Sequence, residues 1–174
     1  MASTFFLVRR AVLGDAPRLA QLSTVLGYPT SSAPMAQRLE RLQAREQDTV
    51  LVAELASGHV VGWVHGSEQE LLESGSRCEI LGLVVDNEFR GQGVGRLLVA
   101  AVEQWAAARG LDEISVRSSV LRTESHPFYQ RLGYTRVKTQ HAYRKRLNQD
   151  AVHQRALEEN RDDGNTRAIG SHTR

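Results

Sequence analysis

The stretch Arg90-Gly91-Gln92-Gly93-Val94-Gly95 sets three glycines at alternate positions directly before a long amphipathic run. A helix N-terminus presents unpaired amides and a partial positive charge, and glycines just ahead of it let a phosphate reach the backbone with no Cβ in the way. Gly91, Gly93 and Gly95 stand where that geometry would be made. Taken alone, these six residues are also compatible with a flexible turn that binds nothing. The nucleotide-hydrolysing pattern GxxxxGK[ST] is not met, because no Lys-Ser/Thr pair follows the glycines. The dinucleotide pattern GxGxxG fits poorly too, since these glycines lie two apart and open a helix in mid-chain rather than after the first strand of a βαβ unit.

Four other residue types could do chemistry. Glu79 sits in the apolar run "RCEILGLVVDN", and strict alternation along a strand would put it on one face with Leu81, Leu83 and Val85. About four strand residues at ~3.3 Å each separate Glu79 from Leu83, so a proton would have to pass through water. A strand-end carboxylate paired with a neighbouring Arg is the alternative reading of Glu79. Tyr129 lies in "HPFYQRLGY" beside Phe128, and one of two adjacent aromatics on a helix must point away from the other's side. Cys78 shows no activating neighbour and reads as a small buried residue. His126 reads as a first-turn residue facing solvent, with a share in a proton relay as the alternative.

The glycine stretch, preceded by "LVVDNEF" and followed by "HPFYQRLGY", resembles the Arg/Gln-x-x-Gly-x-Gly/Ala loop and the FY-x-x-LG-[FY] element of the GNAT superfamily, the acetyl-CoA-dependent N-acetyltransferases. In element order the resemblance covers residues 5–147. It implies a GNAT fold of the α/β (α+β mixed) class: a central mixed sheet of six to seven strands, flanked by about four helices and splayed at the parallel pair of its fourth and fifth strands. It also implies acetyl-CoA as acetyl donor. Arg90 and the amides of Gly91, Gln92, Gly93, Val94, Gly95 and Arg96 would hold the pyrophosphate, and the backbone of Leu83, Val84 and Val85 would pair with the pantetheine arm. Ser119 stands where relatives often carry a cofactor-contacting Asn. Tyr129 corresponds to the general acid of many relatives, and Glu79 falls where several place a general base.

The implied reaction is direct attack of a primary amine on the thioester in a ternary complex. An alkyl amine with a pKa near ~10 is protonated at neutral pH, so a base or a relay helps. The Val85 amide could stabilise charge on the thioester oxygen, and Tyr129, with an ordinary pKa near ~10, suits a leaving thiolate of about 8.5. A small-molecule amine is the expected acceptor. A Lys or N-terminal amine of a protein or peptide is the alternative, and a non-catalytic acyl-CoA-binding regulatory module is a further one. Glu68, Glu70 and Glu73 of "EQELLESGS" could attract a cationic amine, although a solvated acidic loop is the default for such a segment.

The elements that must position these groups are well punctuated. "FFLVRRAV" reads as a strand, and "GDAPRLAQLSTVLG" as a helix with Asp15 as N-cap, Pro17 in its first turn and Gly27 past its end. "SSAPMAQRLERLQARE" gives a second helix. "TVLVAEL" and "VVGWVHG" form a hairpin with Gly58 in its turn, and "EQELLESGS" connects them to the Glu79 strand. A helix from Leu97 to Ala106 stopped by Gly110, the strand "EISVRSSV" parallel to the Glu79 strand, and the short helix ended by Gly133 follow. "YTRVKTQHAYRKRL" reads as one strand or two. Its short length leaves the acceptor groove open, and its exposed edge makes a homodimer possible.

At 174 residues, with 41% hydrophobic and 24% charged residues, the chain suits one domain, taken as residues 1–147, and a polar C-terminal tail, 148–174, that lacks periodicity. No apolar run approaches the roughly 20 residues needed to cross a bilayer. A net charge of +2 gives little reason to expect nucleic acid. One cysteine and no HExxH or CxxC pattern predict no disulfide and no metal, and a start without an export signal points to the cytoplasm.

Overall fold

The computed structural model describes residues 5–147, so the tail expected over 148–174 lies outside the described residues. Residues up to Thr135 form one compact unit; Arg136 begins a second, whose described part carries no helix or strand. The first unit holds five strands: β1 (Phe6–Arg10), β2 (Asp48–Leu55), β3 (Val60–Leu71), β4 (Gly75–Val85) and β5 (Ile114–Val116). Four helices accompany them: α1 (Ala16–Val25), α2 (Ser32–Gln43), α3 (Val94–Ala108) and α4 (Ser125–Arg131). The strands lie in the order β1-β2-β3-β4-β5, antiparallel except for the parallel pair β4/β5.

The expected mixed α/β sheet with a splayed parallel pair is therefore present, but with five strands among the described residues instead of six to seven. The missing strands are those read in "YTRVKTQHAYRKRL". Beyond Tyr134, the apolar residues Val137, Tyr143 and Leu147 of that run are exposed and gain no burial, and a strand without a ladder partner has nothing to hold its amides. The strand edge on which the homodimer expectation rested is not formed there.

Each face of the sheet has its own core. On one, Leu98, Val99 and Val102 of α3 pack on Val61, Val64, Cys78 and Ile80. On the other, Leu19 and Leu22 of α1 and Leu39 of α2 pack on Val52, Val60 and Val84, with Trp63 beside them. The acidic "EQELLESGS" segment is not a loop: Glu68 to Leu71 complete β3 and pair with Gly75 to Cys78, so the hairpin turns only at residues 72–74. Asp15 does not cap α1 with its side chain; its carboxylate accepts from the Val12 amide at 2.8 Å and from Arg9 at 2.7 and 3.0 Å.

One irregularity sets which way the functional residues point. His65 faces Gly82 across the β3–β4 pairing, yet Gly66 faces Ile80, so Leu81 is an extra residue that bulges out, 51% exposed. Alternation is reversed across the bulge. Cys78 and Ile80 before it, and Leu83 and Val85 after it, all pack toward α3. Glu79 therefore does not share a face with Leu83 and Val85. It lies opposite Ser67, on the face that Trp63 and His65 share with α1 and α2.

Candidate active site

Gly93 caps α3 in the left-handed region at φ 88°, and Gly91 is left-handed at φ 75°. No heavy atom lies within 4 Å of the place a Cβ would take on either. The first backbone bond into α3 is from the Leu97 amide to the Gly93 carbonyl at 3.1 Å, so the amides of Val94, Gly95 and Arg96 have no intrahelical acceptor. Open backbone, unpaired donors and the positive end of a 15-residue helix suit a diphosphate.

The loop is braced from behind. Arg18 of α1 donates to the Val60 carbonyl at 2.8 Å and forms an ion pair with Asp86. The Asp86 carboxylate also accepts the Glu88 amide at 3.1 Å, fixing the turn that leads into the glycines. Burial works against the charged form of Asp86, but the Glu88 amide and Arg18 outweigh it and hold the carboxyl below its usual range. Arg90 and Gln92 fold back onto the Val85 and Glu88 carbonyls, at 3.4 and 3.0 Å.

Gly95, which the sequence groups with the other two glycines, has a different task. Its backbone is helical, and a Cβ there would lie 3.2 and 3.3 Å from the Phe128 ring of α4. The third glycine seats α4 against the start of α3, and Tyr129 follows Phe128.

Beside this helix end the sheet opens. The β4/β5 pairing stops at Ile80 and Val116, while β4 runs on to Val85, so Leu81 to Val85 have no partner on that side among the described residues. The Asp86 amide donates to the Val61 carbonyl at 2.8 Å, which makes Gly62–Val85 a pair that exchanges no hydrogen bonds between its two members. The amides of Leu83 and Val85 accordingly face the open edge. Both belong to the group expected to meet the pantetheine arm.

Around this opening stand the candidate proton carriers. Tyr129 is half-buried, its ring 5.0 Å from Phe128 and 5.6 Å from Tyr134. Tyr134, by contrast, donates its hydroxyl to Glu103 at 3.0 Å and is committed to anchoring α3. Burial pushes the Tyr129 pKa up to about 12 against the opposing charge of Arg122, so the phenol holds its proton at neutral pH. Glu79 is 4% exposed and held by both sides of one guanidinium: Arg117 Nε is 2.8 Å from Oε1 and Nη2 is 2.9 Å from Oε2. The alternative reading of Glu79, pairing with an Arg, is thus present in the structure, with the partner 38 residues away.

Ser119 is exposed and accepts from the Leu121 amide at 3.3 Å, while its carbonyl meets His126 Nε2 at 3.0 Å. His126 is half-buried, not fully turned to solvent. Cys78 is fully buried, and burial pushes its thiol up to about 11. Glu68 does not face an acceptor; it pairs with Arg109 of the α3 side at 2.6 Å.

Sequence reasoning missed Arg117, Arg122 and the His65–Asp48 pair at 2.9 Å; Trp63, read from its apolar run as a core residue, does pack on the core, and its ring covers Gly82 so closely that a Cβ there would lie 2.8 Å from it. Only the glycine in "EILGLVV" hinted at the last. Arg117→Ala is expected to lower stability by roughly 1–3 kcal/mol by leaving a buried carboxylate unpaired, less than a fully buried pair because the Arg117 side chain is 76% exposed. Urea unfolding of Arg117→Ala beside wild type checks this, and no change in midpoint would mean that the pair carries no stability.

Comparison with known proteins places these features in a wider set. The pattern of the family described as "Acetyltransferase (GNAT) family" matches residues 17–134. An aminoglycoside N(6′)-acetyltransferase type 1 of Stenotrophomonas maltophilia is 28% identical over 131 residues, 73% of this chain and 84% of that protein. Among solved structures, an aminoglycoside antibiotic 6′-N-acetyltransferase of Acinetobacter baumannii superposes with a TM-score of 0.73 at 18% identity, over 83% of this chain and all of that one. An aminoglycoside N-acetyltransferase in complex with CoA gives 0.75 at 21% identity, over 84% and 98%.

Proposed function

The chain belongs to the acetyltransferase (GNAT) family, acetyl-CoA-dependent N-acetyltransferases, and from that premise we propose that it acetylates the primary amine of a small molecule by direct attack in a ternary complex. The observation that carries this reading is the open edge of β4, with the Leu83 and Val85 amides facing it, set beside the unpaired amides that open α3. The curated relatives named above act, by their names, on aminoglycosides, which are small-molecule amines.

Acetyl-CoA, when bound, supplies the thioester. The amides of Gln92 to Arg96 at the head of α3 hold its diphosphate, with Gly91 and Gly93 leaving room for it. The Leu83 and Val85 amides pair with the arm and orient the acetyl carbonyl. Tyr129, neutral because of its burial, gives its proton to the departing thiolate. Glu79 receives the ammonium proton through water, since it stands three strand residues, about 10 Å, from Gly82. Ser119, three residues beyond β5, offers its hydroxyl to the coenzyme.

The test is thiol release from acetyl-CoA with a panel of primary amines, run beside thermal unfolding with and without acetyl-CoA. Turnover with an amine and a raised midpoint are expected, and Cys78→Ala should turn over as wild type because a buried thiol is no acetyl carrier. A raised midpoint with no thiol released by any amine would instead favour an acyl-CoA-binding regulatory module. No rise at saturating coenzyme would sink the reading.

A further inference from the structure

The face of the sheet that looks toward α1 and α2 at the splay carries carboxylates that are already matched. Asp48 of β2 is 3% exposed; its Oδ1 is hydrogen-bonded to His65 Nε2 at 2.9 Å, and Arg45 Nε lies 2.9 Å from Oδ2 as an ion pair that gives that oxygen no hydrogen bond. Glu79 of β4 is held by Arg117. Exposed Glu113, ahead of β5, lies a loose 3.8 Å from Arg77.

The cations on this face are not used up in the same way. Arg117 follows the last residue of β5, where the parallel pairing ends. Its Nε and Nη2 hold Glu79, which leaves Nη1 on a side chain that is 76% exposed. Arg122, in the connection from β5 to α4, donates Nη2 to the Leu26 carbonyl at the end of α1 at 2.8 Å and is otherwise exposed. That bond ties the β5–α4 connection, just ahead of the helix that carries Tyr129, to the end of α1. Arg77, on the Glu79 side of β4, has a buried Nε with no acceptor. An amine entering this cleft meets guanidinium groups first, and a polycation would meet like charge.

We infer that the acceptor carries an oxyanion, a carboxylate or a phosphate, close to its amine, and that Arg117 and Arg122 receive it. The guanidinium fork matches either anion, and the anion sets the amine toward the open edge of β4. This rests on the transferase reading of the same cleft.

The experiment compares kcat/KM for matched acceptors with the full chain: α-amino acids against their carboxamides, a phosphorylated amino sugar against its parent, and a polycationic amino sugar. At least one anionic member is expected to exceed its neutral twin by about 10-fold or more, and which pair shows it tells carboxylate from phosphate. Arg122→Gln should bring that ratio toward one, and Arg122→Lys should restore part of it. Inorganic phosphate should compete with the anionic acceptor in wild type, a reading that stands even if Arg122→Gln fails to fold. A neutral or polycationic amine used as well as or better than every anionic twin overturns the inference, whereas no turnover with any member in a protein that acetyl-CoA stabilises overturns it together with the transferase reading, in favour of a coenzyme-binding module. Absence of that stabilisation would instead count against the transferase reading itself.

Discussion

Tyr129→Phe is expected to lower kcat by roughly 10²–10⁴-fold while leaving the KM for acetyl-CoA nearly unchanged. The substitution removes only the hydroxyl, so the ring can keep its edge packing on Phe128 and Tyr134. The effect is then confined to the step in which a proton reaches the departing sulfur. A thiolate of about 8.5 takes a proton readily from a donor placed beside it, but less readily from water. Because burial pushes the phenol up to about 12, its ionisation should not limit turnover below that pH. Steady-state rates over a pH series check both points. An unchanged kcat in the variant would reduce Tyr129 to a packing residue, and a fall in rate near pH 10 would contradict its burial.

The second large effect is at the glycine loop. Gly93 is left-handed, a conformation that costs an L-residue roughly 1–2 kcal/mol, and Gly93→Glu also sets a carboxylate where the diphosphate would lie. Coenzyme binding should weaken by about 100-fold or more. At a ligand concentration near 100 Kd the wild type gains ~2.7 kcal/mol, and a 100-fold weaker variant keeps only ~0.4. At ~2–4 °C per kcal/mol for a chain of this size, the midpoint should rise by ~5–11 °C in wild type and by ~1–2 °C in the variant. Gly95→Ala is expected to behave differently. Its Cβ presses on the Phe128 ring, so it shifts α4 and Tyr129 and should lower kcat more than it raises the KM for acetyl-CoA. Equal losses of coenzyme binding at Gly93 and Gly95 would mean that both glycines serve the phosphate after all.

The loop and the "HPFYQRLGY" helix were legible because their chemistry is local. Positive φ at Gly91 and Gly93 is a demand of the chain within a few residues, and the amphipathic run after them is enough to start a helix. The hairpin turn at Gly58 and the helix stops at Gly27, Gly110 and Gly133 are local in the same sense, and all four are left-handed. The strands read after Gly133 failed for the complementary reason. Alternating Val, Tyr and Lys is only a capacity to pair, and pairing needs a neighbour that the segment itself does not contain.

By itself, then, the sequence determined the mixed α/β class, the left-handed glycine turn ahead of α3 and the neighbourhood of Tyr129, since turn geometry, helix start and motif spacing are properties of contiguous residues. Tertiary structure decided which groups meet. The Leu81 bulge turned Glu79 to the face opposite Leu83 and Val85. Arg117 came to Glu79 across 38 residues, and Arg122 reached Leu26 across 96. Only packing against Phe128 gave Gly95 a constraint that Gly91 and Gly93 do not share. These are long-range matters, fixed by strand register and by which ring or charge lies across a gap, and a reading of periodicity and spacing holds no information about what lies across.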